Sequence, residues 1–158
     1  MLVRLLHLPD ITEETKLLAS DGIIVRRPIA PEKSLLVSWV GRNFSQFWAS
    51  EVDVAFSSIP ATCYVAQKDG EIIGFSCYNT TAKGFFGPTG VAERARSKGV
   101  GKILLIKALA ALKASGHVYG IIGGVGPAEY YKKVVQAEII KGSEDSIYKH
   151  LLRKNDQS

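Results

Sequence analysis

Val91-Ala92-Glu93-Arg94-Ala95-Arg96-Ser97-Lys98-Gly99-Val100-Gly101-Lys102 marks the point where an extended apolar run gives way to an amphipathic helix across a basic, glycine-containing turn. Upstream, residues 84–91 read as a glycine-loosened strand, and downstream residues 103–114 carry apolar side chains at helical spacing. Between them, residues 96–102 would aim several unpaired backbone N–H groups at one spot, the N-terminus of the helix. Those donors, the helix dipole and the neighbouring cations favour a phosphate there. Gly99 and Gly101 lack a Cβ and permit both a positive φ and close approach of a ligand to backbone. The same pattern also serves as an ordinary strand-to-helix turn, with glycines for geometry and arginines for solubility.

Two common phosphate motifs are excluded. A dinucleotide fingerprint, G-x-G-x-x-G, started at Gly99 would need its last glycine where Leu104 stands. A P-loop aligned on Gly101-Lys102 would need glycine at Arg96 and a hydroxyl residue at Ile103. What remains is R-x-x-G-x-G, written as Arg96-Ser97-Lys98-Gly99-Val100-Gly101, and further on, after residues 117–124 as a strand, Pro127-Ala128-Glu129-Tyr130-Tyr131-Lys132-Lys133. The two motifs in this order resemble the GNAT superfamily of acyl-CoA-dependent N-acetyltransferases, and the resemblance covers the chain from about residue 23 onward. It implies an α/β fold of mixed α+β type, the GNAT fold: a central, mixed, mostly antiparallel sheet, splayed at the acyl-CoA site and flanked by helices.

At 158 residues the chain is expected to form one domain, residues 1–22 being an N-terminal extension and 153–158 a frayed polar tail. Hydrophobic residues at 46% and charged ones at 22% are ordinary for a globular protein. A net charge of +5 suits an anionic ligand, coenzyme A or nucleic acid. The lysines are scattered and no zinc or RNA-reading signature occurs, which argues against nucleic acid. No signal-peptide pattern and no apolar run of ~18 residues is present, so no membrane partner is expected and a cytoplasmic location is the default. Cys63 and Cys77, in neighbouring predicted strands, read as small buried apolar residues. His7, His117 and His150 lack metal-like spacing, and no metal site is expected.

Residues 2–8 form a short alternating edge-strand candidate, residues 12–19 a polar helix and residues 23–28 a strand. Pro31 opens a helix with Leu35, Leu36, Trp39 and Val40 on its apolar face. Residues 44–56, the most aromatic stretch, continue as a second helix or a loop-helix mixture. Residues 61–67 and 71–78 are strands joined by Lys68-Asp69-Gly70, a hairpin signal. The alternation of Ile73, Phe75 and Cys77 against Gly74, Ser76 and Tyr78 suits a half-covered sheet. Residues 83–91 add a third strand, and residues 147–152 are expected to pair as the last strand at the far end.

The resemblance also implies site residues. The bound cofactor would be acetyl-CoA or coenzyme A. Backbone groups of Thr89, Gly90 and Val91 would pair with its pantetheine arm and thioester carbonyl. Arg96 would meet the pyrophosphate, with Ser97, Lys98, Gly99, Val100, Gly101 and Lys102 supplying N–H groups and local charge. Tyr131 aligns with the tyrosine that protonates the coenzyme A sulfur in many relatives, whereas Tyr130 is expected to pack. Glu51 is the candidate general base, with Asp53 and Glu93 as other carboxylates nearby. Trp39, Phe44, Phe47, Trp48 and Tyr78 would line the pocket of a small-molecule or peptide amine acceptor. Homodimers are common in the fold. The activity implied is N-acetylation of a primary amine, and the alternative is an acyl-CoA sensor of the same fold without turnover. Against the family pattern, Val125 stands where many relatives have Asn, Ser97 replaces a frequent glycine, and residues 133–137 lack the usual glycine after the tyrosine.

Overall fold

In the computed structural model, which describes residues 1–153, six strands form one mixed sheet in the order β1-β6-β5-β4-β3-β2. The strands are β1 (Leu2–Arg4), β2 (Ile23–Arg26), β3 (Cys63–Lys68), β4 (Glu71–Tyr78), β5 (Phe85–Val91) and β6 (Tyr119–Ile122). Neighbours run antiparallel except β5 and β6, which are parallel because a helix carries the chain back between them. The β3–β4 hairpin turns through Asp69 and Gly70 with φ of 51° and 79°, the left-handed pair that matches strand twist.

Helices α1 (Thr12–Ser20), α2 (Lys33–Asn43), α3 (Gln46–Ala55), α4 (Val100–Ala114) and α5 (Ala128–Val135) cover the sheet. Leu36, Val40, Val52 and Ala55 of α2 and α3 pack on Cys63, Val65, Phe75 and Cys77. On the other face α4 gives Leu105, Leu109 and Leu112 to a cluster with Val3, Leu5, Phe86 and Ile122, and Val100, Ile103 and Leu104 to one with Leu18, Ile23 and Ala66. Nine of the 15 residues of α4 are buried, as suits a helix lying along the middle of a sheet. Ser76, the buried polar residue of β4, is satisfied by donating to Leu104 O at 3.0 Å. Among the described residues no helix is long and apolar enough to cross a membrane.

Several expectations are corrected. The sheet is covered on both faces, and every residue of Ile73 to Tyr78 is buried. Ile73 does not share a face with Phe75 and Cys77: β4 carries an extra residue opposite the Ala66–Gln67 step, and this bulge turns Ile73 into the α4 cluster. Leu35 is 58% exposed, because Leu36 and Val40, with Val37 and Trp39, take the buried stripe of α2. Residues 147–152 form no strand; 147–150 run as turns and 151–152 are irregular. The sheet position beside β6 is filled instead by β1, with Leu2 opposite Ile121, so the strand expected over 2–8 is shorter and residues 5–7 form a 3-10 turn. Within residues 1–22, Met1, Val3, Leu5 and Leu18 are buried in the core clusters. Of the tail expected to fray, residues 154–158 lie outside the described residues. Cys63 and Cys77 sit opposite one another on β3 and β4, both free and buried.

At Gly90 of β5 the backbone lies close under Phe44, a residue between α2 and α3: a Cβ there would fall 2.4 Å from Cζ of Phe44. Gly90→Ala is expected to cost about 1–3 kcal/mol by overpacking, read as a lower urea midpoint. Adding Phe44→Leu should recover part of the loss, and a Gly90→Ala protein as stable as the parent would refute the contact.

Candidate active site

The site begins where two strands part. β5 and β6 pair for two residues only, Phe85 with Ile121 and Phe86 with Ile122. Beyond them β5 continues to Val91 while β6 stops, and the chain leaves through Gly123-Gly124 toward α5. A bulge in β5 between the partners of Ser76 and Tyr78, where Gly87 takes a φ of 111°, helps bend β5 away. Into the wedge α5 inserts Tyr131, 7% exposed, its ring edge-on to Phe86 at 6.3 Å.

Two cavities open on either side of this tyrosine. The α4 groove, about 510 Å³, runs along Thr89, Gly90 and Val91 to Arg96, Ser97, Gly99, Gly101 and Lys102. At its far end α4 starts from Gly99, φ 82°, without a side-chain cap, so the first-turn N–H groups are left for another acceptor. Ser97 also takes a left-handed φ, 65°, a conformation that favours glycine. Arg96 lies at the mouth, with Nε donating to Val91 O at 3.4 Å and Nη1 3.8 Å from Glu93. Lys102 Nζ donates to Glu14 of α1, and this bond holds the Glu14 carboxyl below its usual range. Tyr130 lines the same groove and packs edge-on against the Tyr131 ring, centroids 5.3 Å apart.

The α3 cavity, about 400 Å³, lies between α3, the bulged part of β5 and the glycines after β6. Ser45 caps α3 by accepting from Trp48 N, which fixes the start of the helix and sets Trp48 and Glu51, three residues apart, on the cavity side. Glu51 is half-buried and accepts a hydrogen bond from Thr81 Oγ1. Burial pushes its pKa up, and the Thr81 bond opposes that shift in part. Tyr148 and Leu151 close the opposite wall, and burial also raises the Tyr148 phenol. The two cavities share Phe86, Thr89, Pro127 and Tyr131. Burial, with a smaller contribution from Tyr130, pushes the pKa of Tyr131 up to about 12.

The anion-site residues foreseen in the sequence are therefore largely brought together, with two differences. Val100 turns its side chain into the core and can offer only its N–H, and Lys98 lines a separate groove beside Arg94 and Glu71. The aromatic residues scatter more. Trp48 reaches the α3 cavity, but Trp39 and Phe44 pack with it on Phe75 and face a different groove next to Arg94 and Arg96. Phe47 is exposed on the outer side of α3, and Tyr78 is buried toward α4 with Arg27 over its ring. Asp53 is paired with Lys33 instead. Sequence reasoning missed Thr81, Tyr148 and Leu151. Residues 147–152 look like a strand by alternation, and nothing local announces that they fold back over Gly123-Gly124.

The sequence model of the acetyltransferase (GNAT) family matches residues 34–127. No protein of curated function matches the sequence. Among solved structures, the GCN5-related glucosamine N-acetyltransferase region of a fungal multi-domain β-N-acetylglucosaminidase superposes with a TM-score of 0.67 at 18% identity, over 85% of this chain and 19% of that one. A GCN5-related N-acetyltransferase from Sphaerobacter thermophilus gives 0.64 at 17% identity, over 84% and 45%. The GNAT family N-acetyltransferase YhbS from Escherichia coli, solved in complex with CoA, gives 0.52 at 20% identity, over 70% and 66%. The chain thus spans less than half the length of the first two.

A carboxyl whose pKa is raised by folding costs stability wherever it is charged, so its contribution worsens as pH climbs above the ordinary glutamate value of ~4.3. Glu51→Gln, which keeps an acceptor for Thr81, should raise the melting temperature at about pH 7, with the gain vanishing near about pH 4. An unchanged melting temperature at neutral pH would contradict the burial of a charged Glu51.

Proposed function

Since the chain belongs to the acetyltransferase (GNAT) family, we propose that it transfers an acetyl group from acetyl-CoA to a primary amine, which attacks the thioester directly in a ternary complex. The observation that carries this reading is the meeting of two cavities at Tyr131, one ending on an uncapped helix N-terminus and the other holding a half-buried carboxylate.

The α4 groove fits the donor by its chemistry. The first-turn N–H groups of α4, Arg96 and the glycines suit a pyrophosphate, and Phe86, Val91 and Leu105 give the rest of the groove the apolar wall that a pantetheine arm needs. The CoA complex of the Escherichia coli relative supports the same choice. When bound, acetyl-CoA supplies an activated thioester whose sulfur departs as a thiolate.

The residues of the chain divide the remaining work. Past Phe86, β5 has no strand partner on the β6 side, so outward main-chain N–H groups there are available to an oxygen that gains negative charge, a device worth a few kcal/mol. Glu51 Oε1 and Oε2 form the carboxylate of the α3 cavity that can take a proton from an ammonium, and a pKa raised by burial improves it as a base. Tyr131, with a pKa about 12, keeps its proton at neutral pH. A phenol so far above a thiol's ~8.5 does best as a hydrogen-bond donor that stabilises charge developing on sulfur.

Tyr131→Phe should lower kcat by about 10²-fold or more while leaving the dissociation constant for acetyl-CoA nearly unchanged, read by thiol release and by calorimetry. Turnover equal to the parent's would remove Tyr131 from the chemistry. Donor binding without thiol release from any amine would favour an acyl-CoA sensor.

A further inference from the structure

A third cavity, about 620 Å³, lies behind the α3 cavity, between β6 and the irregular segment that follows α5. Its wall is made mainly by Phe85, Ile121, Val125, Ile139, Ile140 and Ile147. Among the described residues no Lys, Arg or His lines it, and its two charged groups already have partners: the Met1 α-ammonium donates to Ile122 O at 2.7 Å, and Asp145 is paired with Lys149 at 2.8 Å. The space therefore suits a neutral apolar group, and its volume lies within the ~300–1,000 Å³ of small-molecule sites.

Its connections decide what enters. The third cavity and the α3 cavity share Ile122, Gly123, Gly124, Val125 and Tyr148, whereas it shares no lining residue with the α4 groove. The common wall is glycine backbone with Tyr148 packed on it, since a Cβ on Gly123 would come within 2.9 Å of the Phe85 ring and 3.2 Å of Tyr148 Oη; a chain crosses here only where the Tyr148 side chain turns aside. Gly124, at φ 57°, passes 3.6 Å from the Tyr148 ring by the same measure. Glu51, the carboxylate of the α3 cavity, can face an ammonium at the near end, and the apolar chamber lies beyond Tyr148.

We propose that this chamber holds the apolar tail of the acceptor, so that the substrate is an amine carrying an extended aliphatic or arylalkyl chain, its ammonium at Glu51 and its tail crossing Gly123-Gly124 toward Ile139 and Ile147. The inference rests on the transfer reading above for the identity of the amine as acceptor. The chamber's lack of contact with the α4 groove assigns the tail to the acceptor and not to the acyl donor.

The test is calorimetric titration of the CoA-saturated full chain with n-alkylamines from ethyl to octyl, with thiol release from acetyl-CoA measured on the same series. Affinity should climb about fourfold per methylene once the chain passes Tyr148. Ile139→Asp and Ile147→Asp, at side chains 65% and 60% exposed and thus tolerant of charge, should each flatten that climb. Thermal unfolding of both variants checks that they remain folded, and the second stands in for the first if it does not. A flat series in the parent, or the same climb in both variants, would overturn the tail site. So would tighter binding of octanoyl-CoA than acetyl-CoA that the two variants abolish, since the chamber would then belong to the donor. A climb in affinity without thiol release supports the tail site and removes the transfer reading; thiol release with a flat series does the reverse.

Discussion

Everything at the centre of this molecule follows from the early parting of β5 and β6. Two parallel strands that separate after two residue pairs leave main-chain donors and acceptors facing a gap, and such groups are costly unless something pairs with them. The fold fills the apolar part of the gap with Phe86 and Tyr131 and leaves the polar part on two cavity walls. A ligand with amide groups along its length can complete the missing ladder, in the way an extended peptide adds to a sheet edge. The opening thus suits a linear, amide-bearing partner in the proposed reading, and its position is fixed by the core beneath it.

The residues of the α4 groove were largely legible in the sequence as one cluster because their signals are local. Glycine at 99 and 101, the Arg96 spacing and the strand-to-helix switch all lie within a dozen residues, and each has a direct backbone meaning. Tyr131 was equally accessible, sitting one helix and one strand later. What stayed hidden depended on distant chain segments meeting. Alternation over residues 147–152 fits a strand, but the sheet edge beside β6 is already taken by β1, and the segment is left to close a cavity wall. The aromatic stretch was read as a pocket lining because aromatics serve both roles. Trp39, Phe44 and Trp48 instead stack on Phe75, and one of the three also reaches the α3 cavity. The strict alternation read into β4 failed at Ile73, where a bulge resets which residues face which layer.

Charge plays a smaller part at the donor groove than the sequence suggests. Of the basic side chains around the loop, Lys102 is held by Glu14, Arg94 by Glu71, and Arg96 lies within reach of Glu93. Exposed pairs of this kind contribute little to stability, but they partly neutralise the field at the groove. In the proposed reading, anion recognition therefore rests more on the oriented N–H groups of the α4 N-terminus, which has no side-chain cap.

The pairing of β1 with β6 has a consequence for how the chain is made. Met1 N bonds to Ile122 O across 121 residues, and Leu2 also meets Glu138. As the chain emerges during synthesis, β2, β3 and β4 can assemble from neighbours, yet Leu2–Arg4 must wait without a partner until β6 has appeared. Contacts of such long sequence separation form late and slow the overall process. Among these six strands β1 thus waits longest for its partner, and the wedge that holds Tyr131 is backed on its far side only when the whole sheet is closed.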